Sequence, residues 1–112
     1  NLVAIIDRNH LQISGDTEDV MAIEDIGEKW SAFGWEVTHM DGDDIDDIVE
    51  KLDALSFGAG KPHLLISHTT KGKGVSYMEN VAKWHHGVPC AEQYAEAMKE
   101  IESRIMIMEE AL

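Results

Sequence analysis

Three polar stretches of the sequence contain side chains that could bind a ligand. The first is Asn9, which follows the apolar run Leu2–Ile6 and the pair Asp7–Arg8. Its neutral amide oxygen is a hard donor that suits Mg²⁺ or Ca²⁺, and a turning backbone can add a carbonyl oxygen. Asn is also common in the turns that follow strands. Residue type alone favours this second, structural interpretation of Asn9.

The second stretch is Thr69–Gly74, with the sequence TTKGKG. Alternating Gly and Lys can present backbone N–H groups and ammonium charge to an anion. The spacing is not that of a P-loop, which requires a terminal Ser or Thr. Ordinary flexible surface loops have the same composition, so the pattern alone is a weak indication of anion binding.

The third stretch contains the adjacent residues His85 and His86, which follow Trp84. Neighbouring side chains do not face the same way on a regular element, so we do not expect both imidazoles to bind one metal ion. The zinc patterns His-Glu-x-x-His and Cys-x-x-Cys are absent from the sequence. Taken alone, the two histidines are typical of surface or loop-packing groups.

The elements that would position these residues alternate between strands and helices. Apolar segments predict strands at Leu2–Ile6 and His63–His68, and alternating apolar and polar residues predict one at Trp35–Met40. Apolar residues at three- and four-residue steps predict helices at Val20–Phe33, from Ile45 to near Gly58–Gly60, and at Ala91–Leu112. With short connections, this order predicts an α/β fold, a three-layer doubly wound parallel sheet. We expect the first strand to be covered on both faces. Ligands of such sheets bind at the carboxyl ends of the strands, where Asn9 and Lys71 would lie.

The composition restricts the class of protein. The 112 residues correspond to about one modest domain, and their formal charge of −13 argues against nucleic-acid binding. No apolar run approaches the roughly 20 residues of a membrane-spanning helix, and no basic segment marks a signal peptide. Cys90 is the only cysteine, so we predict a cytoplasmic protein with a structural or incidental thiol. The five aspartates within Asp41–Asp47 lack EF-hand spacing and predict a helix start capped by Asp43 or Asp44.

The first stretch resembles part of a cofactor motif. An apolar strand followed by Asp-x-Asn-x-Leu-x-Ile-x-Gly, residues 7–15, resembles the second half of the thiamine-diphosphate motif of transketolases. The resemblance implies that the Asn9 side chain and the backbone carbonyl of Leu11 bind the Mg²⁺ that bridges the cofactor diphosphate. In that family the first half, a Gly-Asp-Gly that carries a third ligand, lies upstream. It is not in this chain.

The second and third stretches extend the resemblance. Lys-Gly-Lys-Gly, a loop and then Trp-His resemble the transketolase segment whose Lys and His reach the cofactor diphosphate and the bound sugar. This implies such roles for Lys71 and His85, with His86 as the competing choice because it directly precedes Gly87. We therefore expect residues 1–112 to form the C-terminal part of a thiamine-diphosphate-binding domain, with residues 91–112 as its terminal helix. Because the chain begins at a core strand, we expect it to be a piece of a larger domain.

The resemblance implies two-carbon ketol transfer between sugar phosphates, with thiamine diphosphate as the electron sink. His85 would be the catalytic residue, which hydrogen-bonds substrate or diphosphate oxygen and could transfer a proton. The chain stops after one further helix, and in this respect it resembles the N-terminal subunit of the split transketolases. In those enzymes a separate C-terminal subunit binds the cofactor pyrimidine. We therefore expect a dimer or heterotetramer, and no activity from this chain alone.

Three alternatives stay open on the sequence. A related thiamine-diphosphate enzyme, of the deoxyxylulose-phosphate synthase or dehydrogenase E1 type, shares the metal half-motif. A non-catalytic α/β binding module could keep the scaffold without the chemistry. A metal-dependent hydrolase would use the His85–His86 pair and the Asp-rich turn.

Overall fold

The computed structural model describes residues 1–111. Its elements are β1 (Val3–Arg8), β2 (Leu11–Gln12), β3 (Gly15–Asp16), α1 (Thr17–Met21), α2 (Ile26–Ala32), β4 (Glu36–Asp41), α3 (Ile45–Asp53), β5 (His63–His68) and α4 (Ala91–Glu110), with short 3₁₀ helices at Phe57–Ala59 and Ala82–His85. Within residues 1–111, none of these helices has both the length and the apolar character needed to cross a membrane. Leu112, which the last predicted helix included, lies outside the described residues.

The chain divides into two compact units. The first comprises residues 1–10 and 16–69, and the second comprises residues 11–15 and those from Thr70 onward. Each unit is described by itself below.

A three-stranded parallel sheet forms the centre of the first unit, with β5 between β1 and β4. Residues Val3 and Glu36 lie opposite His63 at one end, and Arg8 and Asp41 lie opposite His68 at the other. The α/β class with a parallel sheet, predicted from the sequence, is confirmed. Because the three strands run in the same direction, their carboxyl ends meet at one edge.

Strand β5 supplies most of the core of this unit. Leu64 and Leu65 are fully buried and Ile66 is almost so, as expected for a central strand that is covered on both faces. That environment is the one predicted for Leu2–Ile6, but Ile5 is 56% exposed. An apolar run indicates that a strand can be buried, but it does not indicate which strand has a neighbour on each side. β1 also continues through Asp7 and Arg8, beyond its predicted end.

The helix predicted for Val20–Phe33 is wrong in one respect, because the chain forms two shorter helices there. The Glu24 backbone has a φ of 54°, which an α-helix cannot accommodate. Asp25 then caps α2 by accepting a hydrogen bond from the Glu28 backbone N–H at 2.9 Å. Phe33, the last residue of the predicted helix, is 82% exposed, since it follows the last turn of α2. Gly34 has a φ of 87° and lies just beyond the helix, a position where glycine is common.

Helix α3 begins where the sequence predicts. Asp44 caps it, because its Oδ1 accepts a hydrogen bond from the Asp46 backbone N–H at 2.9 Å. The helix ends at Asp53, before its predicted end near Gly58–Gly60. It packs on β4, but Ile45 and Val49 of its apolar stripe are exposed.

Helix α4 is the longest helix described in the second unit, and its apolar side chains are not the ones that are buried. The predicted apolar residues of this helix are all exposed by at least a third: Tyr94, Met98, Ile101, Ile105 and Met108. Ala97 is the buried residue of α4, and Gln93 and Glu100, on the same side, are partly buried. In this unit α4 therefore packs through the side that carries Ala97, Gln93 and Glu100, and not through its apolar residues.

Candidate functional site

Asn9 lies directly after β1, between two anchored residues of the first unit. The Arg8 guanidinium donates to Thr17 Oγ1 at 2.8 Å and forms an ion pair with Glu18 at 2.6 Å. The Thr17 backbone N–H donates to the carbonyl of His10 at 2.8 Å. His10 itself has a φ of 62°, a left-handed conformation that His tolerates better than most residues. On either side of Asn9, the Arg8 side chain and the His10 carbonyl are therefore both bonded to α1.

The carboxyl ends of β1 and β5 are joined by side chains. Thr69 Oγ1 donates to Asp7 Oδ1 at 2.5 Å. On the other side of β5, the Gly42 backbone N–H donates to the His68 carbonyl at 2.7 Å. The edge of the sheet that was predicted to carry the site is thus closely packed at its centre.

A pair of histidines at this edge was not predicted as a site. His39 Nδ1 and His68 Nε2 are 2.9 Å apart and hydrogen-bonded, and their rings are nearly parallel. With Arg8 and His10 they line a cleft of about 180 Å³ in the first unit. Burial lowers the pKa of His68, and the nearby His39 lowers it further. Each of these histidines lies in a predicted strand, but the sequence does not give the strand register that brings their rings together.

In the second unit, the structure brings together the elements that carry Leu11 and His85. Leu11 lies in β2, which contacts the 3₁₀ helix Ala82–His85. Trp84 of that helix is half-buried, and its Nε1–H donates to the Tyr77 carbonyl at 3.1 Å. His85 and His86 are both exposed, with their ring planes at 83° to each other. Two of the four predicted site residues therefore lie on adjoining elements.

Lys71 begins a tightly folded loop of the same unit, residues 71–80. Its carbonyl accepts a hydrogen bond from the Asn80 backbone N–H at 2.9 Å, which closes the loop. Asn9 belongs to the first unit, whereas Leu11, Lys71 and His85 belong to the second.

Clusters of metal-binding side chains provide no alternative centre in the described part of the chain. Among residues 1–111, no group of three or more His, Cys, Asp or Glu residues could hold a metal ion. Within those residues, neither the His85–His86 pair nor the Asp-rich turn at Asp41–Asp47 belongs to such a group. Asp44 and Asp47 of that turn instead accept hydrogen bonds from backbone N–H groups.

Comparison with known proteins decides the family. Residues 1–103 match the family described as transketolase, thiamine diphosphate binding domain. The chain belongs to the transketolase family. In solved structures, the transketolase of Campylobacter jejuni superposes with a TM-score of 0.80 at 30% identity, over 91% of this chain and 16% of that one. The resemblance noted in the sequence and the fold expected from it are confirmed.

Among curated transketolase relatives, two carry the same name. An apulose-4-phosphate transketolase subunit of Phocaeicola vulgatus is 62% identical over 97% of this chain and 39% of that protein. The subunit of that name from Actinobacillus succinogenes is 41% identical over 90% of this chain and 36% of that protein. A 6-deoxy-6-sulfo-D-fructose transketolase subunit from a Clostridium species is 35% identical over 91% of this chain and 37% of that protein. The chain thus spans less than two fifths of the length of these relatives.

Proposed function

We propose that this chain is part of a transketolase that transfers a two-carbon ketol unit between sugar phosphates, with thiamine diphosphate and Mg²⁺. The observation that carries the proposal is the match of residues 1–103 to the thiamine-diphosphate-binding domain of that family. The names of the Phocaeicola and Actinobacillus relatives suggest the substrate, and we propose apulose 4-phosphate as the ketol donor.

The donor chemistry of Asn9 and Leu11 fits the metal. An amide side-chain oxygen and a backbone carbonyl oxygen are both hard, neutral ligands of the kind that Mg²⁺ accepts alongside phosphate oxygens. The Arg8 side chain and the His10 carbonyl, on either side of Asn9, are both bonded to α1. Such fixed surroundings favour a ligand that must keep one orientation. We therefore propose that Asn9 and the Leu11 carbonyl hold the Mg²⁺ of the cofactor.

Lys71 and His85 fit the other side of the cofactor. Lys71 would offset phosphate charge as a compact point charge. When bound, thiamine diphosphate supplies the electron sink for ketol transfer. The exposed His85 imidazole would donate a hydrogen bond to diphosphate or substrate oxygen and could exchange a proton with the substrate. His86 is equally exposed and is the competing choice for this role.

The partner we propose is a pyrimidine-binding C-terminal transketolase subunit, in a dimer or heterotetramer in the cytoplasm. The names of three relatives describe each of them as one subunit of a transketolase, which supports a separate second chain. The group that activates the cofactor would belong to that partner. This chain alone is therefore expected to bind thiamine diphosphate weakly or not at all and to be inactive.

The test uses the full-length protein together with its second subunit. Thiamine diphosphate binding is measured by calorimetric titration at several Mg²⁺ concentrations, and ketol transfer is measured from apulose 4-phosphate and from common ketose phosphates. Because loss of groups that merely orient a metal ligand costs about 10–100-fold in affinity, Asn9→Ala should raise the cofactor dissociation constant at limiting Mg²⁺ at least tenfold. Lys61→Met, in an exposed loop, is the control for Lys71→Met.

Separate alanine variants assign the histidine. Loss of a general acid–base group lowers turnover by about 10²–10⁴-fold, so His85→Ala should show the larger loss and His86→Ala the smaller. The reverse order would move the role to His86. Absence of cofactor binding by the complete protein, with Mg²⁺ present, would refute the proposed function and favour a non-catalytic binding module.

A further inference from the structure

Hydrogen bonds join the two sides of the loop that begins at Lys71. The Gly74 backbone N–H donates to Glu79 Oε1 at 2.9 Å, in addition to the Asn80–Lys71 bond. Gly72 has a φ of 73°, and a Cβ there would lie 2.6 Å from the Met78 carbonyl oxygen. Only glycine fits this close approach. The main chain of Lys71 is thus tied to the far side of its own loop.

Both carboxylate oxygens of Glu100, in α4, accept hydrogen bonds from Ser76 at the tip of this loop. The Ser76 backbone N–H donates to Glu100 Oε2 at 2.7 Å, and Ser76 Oγ donates to Oε1 at 2.5 Å. These bonds lower the pKa of Glu100, with a smaller contribution from Arg104. A carboxylate that accepts two hydrogen bonds fixes the orientation of its partner more firmly than a single neutral bond.

The same loop also holds the 3₁₀ helix that carries His85. Tyr77, next to Ser76, donates its hydroxyl to the Gln93 carbonyl of α4 at 2.8 Å. Its own carbonyl accepts the Trp84 bond described above, and the two aromatic rings are 5.5 Å apart. A continuous set of contacts therefore runs from Glu100 to the loop, and from the loop to both Lys71 and His85.

We propose that Glu100, through Ser76, is a positioning residue for Lys71 and His85. This inference rests on the proposed function, in which those two side chains contact the cofactor diphosphate. Glu100 itself touches neither cofactor nor substrate. Without the Glu100 bonds the loop keeps its internal bonds and the Tyr77–Gln93 bond, but it is held less firmly on α4, so Lys71 and His85 spend less time in the binding geometry.

The experiment compares Glu100→Gln and Ser76→Ala with Glu102→Gln in the full-length protein with its second subunit. Glu102 is exposed on the same helix, so its variant removes the same charge without touching the loop. Cofactor dissociation constants are measured at saturating Mg²⁺, well below the unfolding temperature of each variant. Glu100→Gln turns two charge-assisted hydrogen bonds into neutral ones, so we expect the cofactor dissociation constant to rise about tenfold, the lower limit seen for groups that orient metal ligands. Ser76→Ala retains the charge-assisted backbone bond and should give a smaller rise. Glu102→Gln should leave the constant unchanged.

A double-mutant cycle separates positioning from general stabilisation. In a Lys71→Met, His85→Ala background, the effect of Glu100→Gln on cofactor affinity should largely disappear, because the groups it positions are gone. An undiminished effect in that background would overturn the inference. If the Glu100→Gln variant does not fold, Ser76→Ala replaces it in the same double-mutant cycle, because Ser76 is exposed.

The outcomes also distinguish this inference from the proposed function. If the unmodified protein binds no thiamine diphosphate, the proposed function fails. If the unmodified protein binds it and the Glu100 and Ser76 variants bind it equally tightly, the positioning role fails while the proposed function stands.

Discussion

Substitution of Gly42 by Ala should destabilise the carboxyl edge of the sheet by overpacking it. A Cβ at this position would overlap Ser67 Oγ and would lie 2.5 Å from Thr69 Cγ2 and 3.2 Å from the His68 carbonyl oxygen. The Gly42 backbone does not have a positive φ, so Ala is compatible with the local conformation. The expected effect is therefore purely steric.

The size of the effect follows from how little these neighbours can move. Ser67 is 7% exposed, and the His68 carbonyl is bonded to the Gly42 N–H itself. Overpacking of well-packed sites costs ~1–3 kcal/mol, and we expect the upper half of that range, about 2–3 kcal/mol. A loss of about 2 kcal/mol lowers the ratio of folded to unfolded protein roughly 30-fold.

Urea denaturation followed by tryptophan fluorescence measures this loss. The midpoint for Gly42→Ala should fall while the slope with denaturant stays constant. Gly58→Ala is the matched control, because the nearest atom to its added Cβ, Ser56 Oγ, is 4.0 Å away; it should change stability by less than about 0.5 kcal/mol. Adding Ser67→Ala to Gly42→Ala should restore part of the loss. Equal midpoints for the Gly42 and Gly58 variants would refute the packing described for this edge.

Three further predictions concern the first unit. Leu65→Ala removes a fully buried side chain of β5 and should lose ~2–5 kcal/mol in urea denaturation, whereas Leu65→Met should lose less than about 1.5 kcal/mol. Asp44→Ala removes the cap of α3 and should lose ~0.5–2 kcal/mol; Asp53→Ala, at the other end of the helix, should not. Because burial lowers the pKa of His68, the unfolded chain takes up a proton at this residue first as the pH falls below about 6.5. The free energy of unfolding should therefore decline from about pH 7 to pH 5, and less steeply in His68→Gln; equal slopes would contradict this.

Local signals in the sequence were enough to place several elements. The strand His63–His68 has its predicted limits, because an apolar centre follows directly after Pro62, which cannot donate to a ladder. The cap at Asp44 was also predictable, since Asp favours helix starts whatever lies around it. Such features depend on neighbours along the chain, which the sequence contains in full.

The break between α1 and α2 shows where local signals compete. The apolar spacing of Val20–Phe33 favours one helix, whereas Asp25 followed three residues later by Glu28 is a pattern typical of a helix start. In the structure the cap prevails, and Glu24 adopts a positive φ just before it. The sequence contained both signals, but their relative strength depends on tertiary packing.

Contacts at the candidate site illustrate what the sequence could not provide. The resemblance suggested Asn9, Leu11, Lys71 and His85 from chain order alone. The hydrogen bonds between His39 and His68 and between Ser76 and Glu100 join residues 29 and 24 positions apart. Such pairs are determined by strand register and by the rotation of a helix about its axis, and neither is encoded in the spacing of one segment.

The side of α4 that faces the Lys71 loop also explains why a charged group should fix the orientation of that loop. Apolar burial is non-directional, so it would hold the loop against the helix without fixing its orientation. In the structure, the Glu100 carboxylate and the Gln93 backbone carbonyl of α4 both accept directional hydrogen bonds from the loop. The internal bonds of the loop fix its shape but not its orientation against α4. Directional bonds from a rigid helix can supply the orientation that such a loop lacks, and this makes a polar contact face on α4 advantageous.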